Sequence, residues 1–443
     1  MFRAFQDMDL SLWQSAVAEV FQEGSEEERK ATIEATSDYC ELSFAAEGDI
    51  STTELLERLG DKPSAFTSAV HHRLATAQLF LKHQLESVWT TWGKRFEEGK
   101  DWRWKRCVDV YKQYRAGQTR DQCYRPSSKS DFSVIDDLLS KRANIAIIGD
   151  WGTGEPEAIK VLRAAIGEKP DFIIHLGDIY YSGTQKECSD SFHDPVRKGE
   201  KFSNPVFTLA GNHDYYAAGT GFYWLIEEIN KNCGTVQEAS YFCLRNGDWQ
   251  LLAMDTGYND AVPVLPAVAR KMGAYWATSL RPDEIYWHLD KLQHAARRKT
   301  ILLSHHQLYS AYDKIGIPRN RDSSNSSLYQ TFAPFFGKDK ICAWLWGHEH
   351  DYMTFDPFYH DLPLGICIGH GAIPVRCSSH PKKIPSTYDG LPKALKKHSL
   401  NSTRGYYNNG FSVLRLDGLS ADIEHFEVDP SGVSKSIGSD TIS

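Results

Sequence analysis

No stretch of the chain approaches the roughly 18 consecutive apolar residues that a membrane-spanning helix needs, which argues against an integral membrane protein. The opening segment Met1 to Trp13, MFRAFQDMDLSLW, carries acids and no continuous apolar core, so it does not read as a secretory signal. Basic residues are in deficit: 50 Lys and Arg stand against 58 Asp and Glu, a formal charge of −8. No overall positive field therefore draws the protein onto nucleic acid or an anionic membrane. The nine cysteines are scattered, odd in number and never at C-x-x-C spacing. That excludes a zinc cage and a disulfide framework and fits reduced thiols in a cytoplasmic protein. The GxGxxG and GxxxxGK[ST] phosphate loops are missing, as is the GxSxG elbow of serine hydrolases.

What remains is the composition of a folded protein: 443 residues, 41% apolar and 12% aromatic, enough for two or three domains. Residues 1–125 carry helix signals and almost no strand signal. Ser25 with Glu28 and Ser51 with Glu54 read as capping boxes. Phe66, Val70, Leu74, Ala77, Leu81, Leu85, Val88 and Trp92 recur at three or four positions as the stripe of a long amphipathic helix, and Trp104, Val108, Tyr111 and Tyr114 form a second. Trp89, Trp92, Trp102 and Trp104 are expected in the core of this all-α domain, with a partner or dimer face as the alternative. The polar, Gly-, Pro- and Ser-containing stretch that follows, AGQTRDQCYRPSSKSD, marks a boundary. The expected division is a helical domain at 1–125, a linker at 126–142, a catalytic domain at 143–428 and a disordered, Ser- and Gly-rich tail at 429–443.

From Ala143 the texture changes to short apolar runs that each end in a polar cluster: ANIAIIGDWG, DFIIHLGDIYY, PVFTLAGNHDYY, WQLLAMDTG, TILLSHHQ and ICAWLWGHEH. Runs of five to seven apolar residues suit buried strands, and helical stretches fall between them near 155–166, 222–231 and 283–298. An α/β layered domain follows, with the polar clusters gathered beyond the strand ends. They supply Asp150, Asp178, Tyr181, Asn212, His213, Asp214, His305, His348 and His350. Each residue alone has an ordinary explanation as a turn or cap. Together they are the carboxylate, amide and imidazole donors that Fe, Zn or Mn sites use.

GDWG, GDIYY, GNHD, LLSH and GHEH stand in the order and approximate spacing of the calcineurin-like metallophosphoesterases, which residues 144–428 resemble. The purple acid phosphatase branch is the most similar: every block is present, with Leu302 where that branch has valine. The broader superfamily usually has Asp-x-His in the first block, where this chain has Asp150-Trp151-Gly152; in the purple acid branch a tyrosine makes up for the missing imidazole. The resemblance implies a four-layer α/β/β/α sandwich and two metal ions. Asp150, Asp178, Tyr181 and His350 would hold one ion, and Asp178, Asn212, His305 and His348 the other, with Asp178 bridging. Fe(III) is expected in the first site and Fe(II), Zn or Mn in the second.

Counting three residues from Asp178 selects Tyr181 over Tyr180, and position within the block selects His305 over His306, which is left to line the substrate pocket. His213 is expected to assist the leaving group, oriented by a hydrogen bond to Asp214. Tyr215 and His370 are candidate substrate contacts, and Tyr216, Glu349 and Asp351 adjoin the ligand blocks. Three long connections, 257–282, 310–327 and the Lys- and Arg-rich 375–409, are where specificity could lie.

The implied activity is hydrolysis of phosphomonoesters by a metal-bound hydroxide, with phosphodiesters as the alternative. A small phosphorylated substrate is the expected partner, with no nucleic acid or membrane, and with a protein partner or second copy on the helical domain. The rival readings are a regulatory protein built on a degenerate phosphatase domain and redox chemistry at a di-iron centre.

Overall fold

The computed structural model describes residues within 2–44, 102–260, 278–377 and 400–442, with short gaps inside these ranges. They fall into two compact units, Met1–Gln118 and Thr119–Ser443. The second capping box, the 66–92 stripe, Trp89, Trp92 and the lysines of 382–397 lie outside the described residues. No described helix is long and apolar enough to cross a membrane.

The described part of the first unit is helical: α1 (Met8–Glu23), α2 (Glu26–Phe44) and α3 (Lys105–Arg115). The Ser25–Glu28 box forms reciprocally, Ser25 N donating to Glu28 Oε2 and Glu28 N to Ser25 Oγ. Trp13, Val17, Val20, Trp104, Cys107 and Val108 build its core. Trp104 is buried within it, whereas Trp102 is 66% exposed.

In the second unit the helices are α4 (Arg120–Cys123), α5 (Pro156–Gly167), α6 (Gln185–Cys188), α7 (Thr220–Glu228), α8 (Pro282–Gln293) and α9 (Ser326–Phe332). The strands β1 (Val134–Asp136), β2 (Arg142–Ile148), β3 (Phe172–His175), β4 (Val206–Thr208), β5 (Phe242–Arg245), β6 (Trp249–Ala253), β7 (Lys299–Ser304), β8 (Ile341–Trp346), β9 (Tyr352–Thr354) and β10 (Gly365–Ile368) lead to the ribbon β11 (Ser402–Thr403) and β12 (Tyr406–Tyr407). The chain closes with β13 (Asn409–Asp417), β14 (Ser420–Val428) and β15 (Ser434–Ile442). One sheet has the order β1-β5-β6-β7-β8-β10-β9 and the other β15-β14-β13-β2-β3-β4.

Side-chain parity builds the layers, because successive residues of a strand face opposite sides of its sheet. Ile145, Ile147, Phe172, Ile174 and Leu414 of one sheet meet Leu251, Ile301, Leu303, Leu345 and Ile366 of the other in the central core. Their neighbours Ala146, Ile148, Ile173 and Val413 turn outward onto Ala158, Val161, Leu162 and Ala165 of α5. On the far side Leu302, Trp344 and Trp346 pack with Trp287 and Leu292 of α8 and Leu328 and Phe332 of α9. The result is the α/β/β/α sandwich. Prolines at the first turns of α5 and α8 start both helices.

Two expectations about the chain's divisions are corrected. Residues 126–142 are not a free linker: β1 pairs in parallel with β5, and Phe132 and Val134 pack against the outer core. The tail is not disordered: β15 pairs along β14 from Ala421 to Val428. Its sequence is polar, but an edge strand is held by backbone hydrogen bonds, supplemented here by Thr441 Oγ1 donating to Asp422, His425 Nε2 lying 3.3 Å from Asp440 Oδ2, and burial of Ile442.

Candidate metal centre

Strands β2, β3 and β4 run parallel to one another, as do β6, β7, β8 and β10, so the loops leaving their C-terminal ends meet at one edge of the sandwich. Asp150 lies just past β2, Asp178 past β3, Asn212 past β4, His305 directly after β7, and His348 and His350 past β8. Asp150, Asp178, His348 and His350 all adopt left-handed backbone, with φ of 54°, 73°, 70° and 53°. Non-glycine residues in this region cost on the order of 1–3 kcal/mol each, and such residues cluster at functional sites.

On one side of the cluster Tyr180, Asp150, Asp178 and His350 converge. The Tyr180 hydroxyl lies 3.1 Å from Asp150 Oδ1, 3.1 Å from Asp178 Oδ2 and 3.0 Å from His350 Nε2. Both carboxylates are fully buried. Burial pushes their pKa values well up, and for Asp178 the charges of Asp150 and Asp214 add to the effect. Burial and these same carboxylates push the Tyr180 phenol up as well.

Asn212, His305 and His348 form the other side. His305 Nε2 stands 3.2 Å from Asn212 Oδ1, 3.1 Å from His348 Nδ1 and 3.5 Å from Asp178 Oδ1. Outer partners fix which atoms face inward. His305 Nδ1 lies 2.9 Å from the carbonyl of Leu176, which can only accept, so the proton is on Nδ1 and Nε2 presents a lone pair. Asn212 Nδ2 donates to the Tyr216 oxygen, which turns Oδ1 toward the cluster. Burial and the neighbouring imidazoles hold His305 and His348 well below the ordinary imidazole pKa.

Close approach explains two of the motif glycines. A Cβ on Gly211 would lie 2.1 Å from Asp178 Oδ1, and one on Gly347 would lie 2.6 Å from Asp150 Oδ2. The glycine that opens GNHD and the one that opens GHEH are therefore required by the carboxylates beside them.

His213 lines this cluster with its ring between Tyr180 and Tyr216, at centroid distances of 4.6 and 4.7 Å. Its Nδ1 donates to the carbonyl of Tyr181. Nε2 is buried without a hydrogen-bond partner, 4.0 Å from Asp178 Oδ2, and burial pushes the ring's pKa down to about 3. His306 packs on the outer side of His348 with ring centroids 4.4 Å apart.

Four expectations differ from the structure. Tyr180, not Tyr181, brings its hydroxyl to the ligand candidates. Tyr181 instead gives its carbonyl to His213 and its N–H to Glu187, and its phenol has Glu155 and Glu187 as charged neighbours. Counting three residues along the motif assumes a regular extended segment, which the turn after Ile179 is not. Asp214 does not orient His213. Its carboxylate accepts from the backbone of Gly211, Asp178 and Ile179 and ties the β3 and β4 loops together. Tyr215 points away, its hydroxyl donating to Asp255 in the core. His370 turns toward β14, with Nε2 3.4 Å from the Phe426 carbonyl and its ring on Tyr352.

Sequence reasoning also passed over Thr256, Asp260 and Glu187. Glu187 had a readable signal: with Thr184 it forms a capping box at α6.

The donor set fits cations. Lone-pair atoms of His305 and Asn212 face each other at 3.2 Å with no proton between them, and the one proton of Tyr180 is confronted by two carboxylate oxygens, with His350 Nε2 at 3.0 Å. Among the described residues no Lys or Arg pairs with the two buried carboxylates, Asp150 and Asp178, whose ion-pair neighbours are imidazoles. Asp150, Asp178 and His305 present donor atoms within 4.8 Å of one another, as do His305, His306 and His348. Such an arrangement is stabilised by positive charge placed among the donors.

Comparison with known proteins extends these observations. Among curated proteins none matches the chain. A purple acid phosphatase from yellow lupin (Lupinus luteus) seeds is similar in structure at 15% identity and a TM-score of 0.42, over 69% of this chain and 54% of that one, so the match spans about half the lupin chain. GAP50, described as the anchor in the inner membrane complex of Plasmodium, is similar at 13% identity and a TM-score of 0.42, over 67% and 89% of the two chains. PhoD is similar at 10% identity and a TM-score of 0.44, over 68% and 69%. Residues 143–352, which carry this cluster, match the family model of the calcineurin-like phosphoesterases.

Proposed function

We propose that the protein is a metal-dependent hydrolase of phosphate esters, with phosphomonoesters as its substrates. The observation that carries the reading is the convergence of Asp150, Asp178, Tyr180, Asn212, His305, His348 and His350 with their lone pairs directed at one another. Asp150, Tyr180, His350 and Asp178 would hold one cation; Asp178, Asn212, His305 and His348 would hold the other. A tyrosinate is a hard, charged donor, which favours Fe(III) in the first place; the imidazole-rich second place suits Fe(II), Zn or Mn. When bound, the two ions would supply the charge that activates water and neutralises phosphoryl oxygens.

The chain's own residues supply position and shape. His213, held through Nδ1 by the Tyr181 carbonyl, would meet the phosphoryl group with Nε2, as a donor once that nitrogen takes up a proton. Asp214 keeps the Asp178 and Asn212 loops in register through backbone N–H bonds. A reducing, cytoplasmic setting agrees with the free thiols of the described cysteines.

Metal analysis of the purified protein together with hydrolysis of an aryl phosphate and an aryl phosphodiester tests the proposal. Two equivalents of metal and turnover that is lost in His348→Ala are expected. Protein that binds no metal and hydrolyses neither ester would leave the regulatory reading in its place.

A further inference from the structure

A second set of contacts enters the site from a segment ahead of the family domain. Arg120, in α4, donates from Nη1 to the carbonyls of Tyr258 and Asp260, the latter at 2.7 Å, and its guanidinium lies 5.5 Å over the ring of Tyr215. The same segment holds Tyr258 from outside: its hydroxyl donates to Asp121, and Arg281 Nη1 donates to Asp121 at 2.9 Å and to the Tyr258 oxygen at 2.7 Å. Arg281 in turn lies over the rings of Tyr124 and Tyr258, at 4.3 and 4.8 Å. The loop that follows β6 is thereby clamped to α4.

In that loop Asp260 Oδ2 lies 3.3 Å from His306 Nε2. Thr256 meets the same histidine from the other side: its Oγ1 accepts from the His306 backbone N–H at 3.0 Å and lies 3.0 Å from Nδ1. The hydroxyl keeps its own proton after accepting from the amide; given to Nδ1, it places the imidazole proton on Nε2, beside the Asp260 carboxylate that favours it there. That Nε2 is buried and makes no hydrogen bond, so the carboxylate 3.3 Å away acts on it through its charge and leaves the N–H free for a ligand. The ring sits against His348, at the edge of the cluster.

We infer that His306 is a substrate contact whose Nε2–H bonds a phosphoryl oxygen, that Asp260 is the positioning residue that holds this tautomer, and that Arg120 holds Asp260. The inference rests on the phosphoester reading above. It places part of the binding specificity in residues 120–124, ahead of residue 143 where the family match begins. A donor fixed before the ligand arrives needs no reorganisation on binding.

The test uses the full chain and the variants Asp260→Asn, Arg120→Met and Arg120→Lys. Aryl phosphate supplies KM and kcat, inorganic phosphate serves as competitive inhibitor, and histidine-selective ¹⁵N NMR reads the His306 tautomer without turnover. Asp260→Asn and Arg120→Met are expected to raise KM and the phosphate inhibition constant by about five- to tenfold, the worth of one hydrogen bond, with a smaller change in kcat and full metal content. Arg120→Lys is expected to recover part of the loss. Loss of a metal equivalent in Asp260→Asn, an unchanged KM, or a His306 proton on Nδ1 in the wild type would each overturn the inference while hydrolysis stands. Wild-type protein that neither hydrolyses the ester nor binds phosphate would overturn the phosphoester reading and His306's substrate role with it, even where the NMR shows the Nε2–H tautomer.

Discussion

The hydroxyl of Tyr180 lies 3.1 Å from Oδ2 of Asp178, the carboxylate whose other oxygen stands 3.5 Å from His305. Tyr180 therefore joins the half of the cluster that contains Asp150 and His350, and its neighbour Tyr181 serves through its backbone. With Fe(III) bound, Tyr180→Phe is expected to abolish any visible tyrosinate charge-transfer band and to lower turnover by about 10- to 100-fold, while Tyr181→Phe retains the band. Absorption spectra of the two variants at equal iron content decide between the tyrosines.

Gly211→Ala tests the cradle around Asp178. Its methyl group would fall 2.1 Å from Asp178 Oδ1, a carboxylate that also accepts the His213 N–H and cannot retreat without breaking that bond. Metal content below one equivalent and loss of hydrolysis are expected from a protein whose circular dichroism stays native. Full metal loading in this variant would show that the carboxylate has more room than the structure gives it.

Asp214 and His213 are adjacent but separate in role, and their variants are expected to diverge. Asp214→Asn removes acceptor capacity from a buried group that serves three backbone N–H donors, which predicts a stability loss of about 2–3 kcal/mol. His213→Asn is expected to leave the unfolding temperature nearly unchanged and to lower kcat by about 10²-fold or more. Denaturant titration run beside steady-state kinetics separates the two effects.

Acid should weaken the fold through His175, away from the ligand set. The ring is buried between Trp151 and Phe192 and is bonded to Thr208 Oγ1, and burial pushes its pKa down to about 3. In the unfolded chain an imidazole titrates near 6.5, so below that pH the unfolded state takes up a proton that the folded state refuses until about pH 3. Stability falls as pH drops through this window, by up to about 1.4 kcal/mol per pH unit. His175→Gln is expected to flatten that part of the slope in urea unfolding between pH 7 and pH 5, and an unaltered slope would place the acid sensitivity elsewhere.

Removal of residues 429–443 bears on the closing strand. The truncation exposes the backbone edge of β14 and removes buried Ile442, so a fall in unfolding temperature of about 5 °C or more and concentration-dependent aggregation are expected. Asp440→Asn, which weakens only the contact to His425, is expected to cost less. Thermal scans at two protein concentrations distinguish loss of pairing from loss of a single contact.

Much of the architecture was legible in the sequence because its causes are local. Apolar runs in ANIAII, TILLS and ICAWLW make buried strands by their own periodicity, and the glycines and acids that follow mark where each strand ends. The sequence could therefore place six ligand candidates, Asp150, Asp178, Asn212, His305, His348 and His350, at strand ends, since each lies within a few residues of the run that positions it. Which tyrosine enters the cluster, which oxygen orients His213, that Asp260 reaches His306 and Arg120 the Asp260 carbonyl, and that a polar tail pairs as β15 were settled only by the tertiary structure. Each of those depends on a turn's direction or on a partner distant along the chain, such as the pairing of Arg120 with the Asp260 carbonyl, and no local pattern encodes the meeting of two such segments.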